Sequence, residues 1–189
     1  MNFKLLILFL LVFSLVSCLN GNILVTIEGN EIDSDYFNDV YALSGGGMSK
    51  IQFFNDVMIP DEILFIEAKR KGIEEPTSLE IEKVITDFGG DSLKENTGLS
   101  NSKLKELVKK KIIVAKLLIK VLPPPLVTDD EINQFYSRVE NLPSGTSRAD
   151  VHLLLTKAKS EMLKRDYVLS IVPNYKIEIA GNVEELLEN

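Results

Sequence analysis

Apolar residues follow three rhythms along this chain, and each predicts a different kind of segment. Residues 5–13 are apolar without a break. Ile23-Leu24-Val25-Thr26-Ile27 is rich in β-branched residues and reads as a strand, and Tyr175-Lys176-Ile177-Glu178-Ile179 alternates like a half-buried one. Between them the apolar positions return at intervals of three and four, the spacing of one helix face. Glu28-Gly29-Asn30-Glu31 is a turn leading into Ile32, and Asp33 or Ser34 then caps a short helix with Phe37, Val40 and Tyr41 inward. Gly45-Gly46-Gly47 ends that helix. No Gly-Lys-Ser/Thr follows the three glycines, so they read as a connector rather than a phosphate loop.

Ser49 opens the next helix, with Ile51, Phe54, Val57 and Met58 on one stripe. Pro60 either kinks it or starts a new segment through Ile63, Leu64, Ile66 and Ala68 to Gly72. Thr77-Ser78-Leu79-Glu80 caps a helix with Ile81, Val84, Ile85 and Phe88 inward. The longest helix spans 103–122, with Leu104, Leu107, Val108, Ala115, Leu118, Ile119 and Leu122 on one stripe. From Ile112 onward Ile113, Val114, Leu117 and Val121 add a second apolar face, which calls for protein on more than one side. Pro123-Pro124-Pro125 stops it and favours a stiff polyproline spacer. Thr128-Asp129-Asp130-Glu131 is a capping box, and its acids suit a helix N-terminus better than a metal. A last helix carries Val151, Leu154, Leu155, Ala158 and Met162. Two strands alone must pair with each other. The expectation is a mostly α domain over 23–181, with five to seven helices, the N- and C-terminal strands joined in a two-stranded sheet, and a loose acidic tail at 182–189.

Composition narrows the chemistry. The 189 residues hold 21 Lys plus Arg against 28 Asp plus Glu, a formal charge of −7, so a basic nucleic-acid surface is not expected. One His and one Cys exclude a disulfide framework and a Cys/His zinc site. No catalytic residue, metal or cofactor is predicted. His152, alone on its helix, lacks the polar partner that a general base needs.

Lys4 before the apolar run gives the N-terminus the form of an export signal, too short to span a bilayer comfortably. Leu15-Val16-Ser17-Cys18 resembles the bacterial lipobox, whose cysteine carries diacylglycerol and becomes the first mature residue. On that resemblance 1–17 is a lipoprotein signal peptide, Cys18 the lipidation site and 18–22 a short tether. Two or three acyl chains at about 0.8 kcal/mol per buried CH₂ would anchor the protein firmly. Leu19 lacks the aspartate that marks inner-membrane retention in some bacteria. The expected place is therefore the periplasmic face or cell surface, with the outer membrane as the anchoring bilayer.

The order of several stretches resembles the SurA N-terminal-like chaperone domain, which also occurs in PrsA-type foldases and parvulin-containing lipoproteins. They are 25–32 (VTIEGNEI), 63–73 (ILFIEAKRKGI), Gly98-Leu99-Ser100 before the long helix, and 127–132 (VTDDEI) leading to Phe135-Tyr136. Larger members insert a parvulin isomerase after the last of these. Here only a turn lies between Tyr136 and Ala149, so the resemblance implies chaperone-like holding of unfolded or exported polypeptides without isomerase activity. Met48, Phe53, Phe54, Met58 and Phe65 are the candidate peptide-binding residues, with Phe53 singled out because it lies off the Ile51-Phe54-Val57-Met58 stripe. The alternative function is a surface-displayed lipoprotein with one specific partner.

Overall fold

The computed structural model describes residues 22–139 and 145–188. Cys18 and the signal-peptide reading lie outside those residues. Strands β1 (Ile23–Ile27) and β2 (Asn30–Asp33) form a hairpin, and β3 (Ile177–Ile179) pairs with the other edge of β1. Both pairings are antiparallel, in the order β2-β1-β3. The ends of the domain meet as expected, but the sheet has three strands rather than two. Asn30–Asp33 buries only Ile32, so its pattern reads as turn. Glu28 and Gly29 hold positive φ of 51° and 79°, the geometry of a tight hairpin turn. Glu28 offsets the cost of that conformation by accepting from the Lys176 N–H at 2.7 Å and from the Arg70 guanidinium at 3.0 Å.

Eight helices follow among the described residues. They are α1 (Ser34–Leu43), α2, α3 (Ser78–Asp87), α4 (Asp91–Thr97), α5 (Asn101–Val121), α6 (Asp129–Arg138), α7 (Arg148–Ile171) and α8 (Val183–Glu188). α2 runs unbroken through Lys50–Phe53, a π turn at Phe54–Met58 and Ile59–Arg70. Pro60 has no N–H for the carbonyl one turn back, and the wider turn before it accommodates that loss, with the Ile59 N–H bonded to the Phe54 carbonyl. The capping boxes at Thr77, Thr128 and Ser147 have both reciprocal bonds.

The core has two parts. The larger joins the sheet to α1, α2 and the first half of α5 through Leu24, Ile27, Phe37, Phe54, Ile63 and Leu104. The smaller joins α2, the second half of α5 and the end of α7 through Leu64, Ala68, Ile113, Leu117 and Val168. Three further expectations change. The acidic tail is helical, and Leu187 of α8 is buried in the larger part. Phe88, read as inward, is 75% exposed, because α3 ends at Asp87 and the chain turns away through Gly89-Gly90. α4, absent from the sequence reading, buries no residue and so leaves no apolar stripe.

Candidate functional site

The second apolar face of α5 is covered, and the continuation of its first one is covered only in part. Leu104, Leu107 and Val108 face the larger core, whereas Ile113, Val114 and Leu117 face α2 and α7. At about 100° per residue the buried face moves roughly a third of a turn round the helix between these halves. Ala115 and Ile119, which continue the first stripe, are therefore left exposed, Ile119 at 81%.

Beyond α5, the run Pro123-Pro124-Pro125 lies against the middle of α7. Two open clefts flank the proline run and share Leu163 of α7. One, of about 550 Å³, is walled by Leu118, Ile119 and Leu122; the other, of about 260 Å³, by Leu126 and Met162. Leu126 and Met162 are both largely exposed. The Lys159 ammonium donates to the Leu126 carbonyl and, at 2.7 Å, to Glu131, fastening the segment after the prolines to α7. The larger cleft is within the size range of ligand sites, and its walls are mainly hydrocarbon. Two of its polar groups are already committed, since Ser160 donates to the Thr156 carbonyl at 3.0 Å and Lys164 donates to Asp61 at 2.7 Å, and Glu161 is the third polar side chain at its edge. Such a surface can bind apolar side chains but offers no activated nucleophile.

The candidate peptide-binding residues do not converge on one groove. Phe53, Phe54 and Met58 are buried at 3%, 0% and 1% exposure. Phe53, a candidate because it lies off the helix stripe, is a core residue instead, because α1 covers that side of α2. The Phe53 ring meets Tyr41 edge-on at 5.3 Å and Phe37 at 6.0 Å. Met48 is 40% exposed in the loop before α2, where its carbonyl accepts from the Tyr41 hydroxyl at 2.7 Å. Phe65 is half-buried on another face, beneath the ammoniums of Lys69 and Lys110 at 4.4 and 5.0 Å. His152 is exposed on α7, 3.5 Å from the Thr156 hydroxyl. Ile119, Leu126 and Met162 went unrecognised as a surface because each fits a helix stripe or a linker. The available signal was the proline run directly after a helix with two apolar faces.

Partly buried polar groups tie α1, α2 and α5 together. The Tyr36 hydroxyl donates to Glu62, and Lys110 donates to Tyr36 at 2.8 Å and to Glu62 at 3.1 Å. Burial, then the Glu62 carboxylate, raises the Tyr36 phenol far above its ordinary value, so it keeps its proton at neutral pH and cannot act as a base. Burial alone would raise the Asp61 carboxyl, but Lys111 and Lys164 outweigh that and hold it below the ordinary aspartate value.

Glu67 is also lowered, chiefly by the hydrogen bond from Tyr175, and Glu80 falls to about 2 through Lys116 and the Thr77 backbone. Each lowered carboxyl makes the unfolded state bind more protons, so its stabilisation is present above about pH 4.5 and is lost as pH falls through the folded value. The expected thermal unfolding midpoint is level from pH 7 to about 5 and falls between about pH 4.5 and 2. A midpoint that rises over the acid range would contradict this.

Comparison of the chain with protein families, with curated proteins and with solved structures returns no match.

Proposed function

We propose that this chain is an exported, lipid-anchored, chaperone-like protein that holds unfolded or partly folded polypeptides in the apolar clefts between Pro123-Pro124-Pro125 and α7. The uncovered hydrocarbon of Ile119, Leu126 and Met162 on both sides of that proline run carries the reading. Apolar burial is worth about 25 cal/mol per Å² without directional bonds, so such clefts accept many sequences. Support also comes from Cys18 after an apolar leader and from the ordered resemblance to the SurA N-terminal-like domain. No described helix is long and apolar enough to cross a membrane, so in this reading membrane attachment rests on the lipid at Cys18.

Site-specific photo-crosslinking tests the placement. A photoreactive residue at position 119 is expected to crosslink several unrelated unfolded proteins, and the same probe at position 88 few. These positions are similarly exposed, at 81% and 75%, but only Ile119 lines a proline-run cleft. Equal crosslinking at both would reduce the reading to general stickiness. Capture of one folded protein alone would replace the holdase with a dedicated binder.

A further inference from the structure

We propose that Asp61 is a latch that holds the α6–α7 hairpin against the body and so sets the width of the cleft beside the proline run. The functional consequence rests on the client-holding reading above; the latch itself rests on the following geometry.

The hairpin has a small core of its own. Ile132 of α6 and Val151 of α7 are 5% and 1% exposed, and they belong to neither part of the main core. The hairpin joins the body through the proline run and through the end of α7, where Val168 enters the smaller core. Between those attachments, the middle of α7 forms one wall of the cleft.

Asp61 bridges exactly the two helices that form opposite walls of this arrangement. Its carboxylate accepts from Lys111 on α5 and, at 2.7 Å, from Lys164 on α7. Lys164 itself lines the larger cleft. Asp61 follows Pro60, so the π turn that accommodates the proline also sets the phase with which Asp61 leaves α2. The Asp61 and Lys164 side chains are 15% and 26% exposed, shielded enough for their pairing to matter more than an open surface pair. Release of Lys164 would free the cleft wall, whereas release of Lys111 would leave α7 attached.

That asymmetry is the test. In the full chain without client, Lys164→Gln is expected to speed amide exchange in 148–160 and 129–138 about tenfold relative to α5. Lys111→Gln should leave that ratio within about twofold, and Lys164→Arg should restore it. Equal effects of Lys164→Gln and Lys111→Gln, a uniform rise across the chain, or no change in any variant would overturn the latch. Because exchange is read without client, failure here leaves client holding to be judged by crosslinking, and failure of crosslinking leaves the latch to be judged by exchange.

Discussion

Replacing Phe53 with serine is expected to lower the free energy of unfolding by about 3–5 kcal/mol. The ring is 3% exposed and stands edge-on to Phe37 and Tyr41, so its removal opens a cavity where α1 crosses α2. Serine also brings a hydroxyl into that site, which adds a cost unless a partner is found. Domains of this kind have a total stability of about 5–15 kcal/mol, so the variant would sit near the edge of folding. Denaturant titration reads the change as a lower midpoint at unchanged slope. A loss below about 0.5 kcal/mol would mean that Phe53 does not hold the α1–α2 contact, since that is within the range of ordinary surface changes.

The same residue shows how far sequence reaches. Helical spacing placed Ile51, Phe54, Val57 and Met58 on one face, but it could not say that α1 would cover the neighbouring face as well. Strands β1 and β3 were legible, because β-branched residues and alternation encode them locally, and their pairing followed because each lone strand needs a partner. β2 was not, since Ile32 is its one buried residue. The opposite error occurred at Ile119: its stripe is regular, but the elements that cover that stripe near Leu104 do not extend along the helix. Burial depends on neighbours distant in the chain, and periodicity reports only which residues share a face.

Ile119→Ser together with Met162→Ser is expected to weaken client holding while sparing the fold. Both side chains are largely exposed, at 81% and 64%, so their loss should change stability by no more than about 0.5 kcal/mol each. In a client complex they become buried. Losing two such contacts costs about 2–3 kcal/mol, or roughly 30- to 150-fold in Kd. Unchanged affinity in this double variant, with its fold intact, would move the binding surface away from the proline run.

The central claim is tested most directly by the aggregation of two unrelated, chemically unfolded proteins in the presence of stoichiometric residues 20–189. That segment retains every buried side chain of the described core, which begins at Leu24. The expected result is that the native sequence slows the aggregation of both clients and that Ile119→Ser/Met162→Ser loses most of this effect. Aggregation of both clients at the rate seen without the protein would contradict general holding and point to a single dedicated partner.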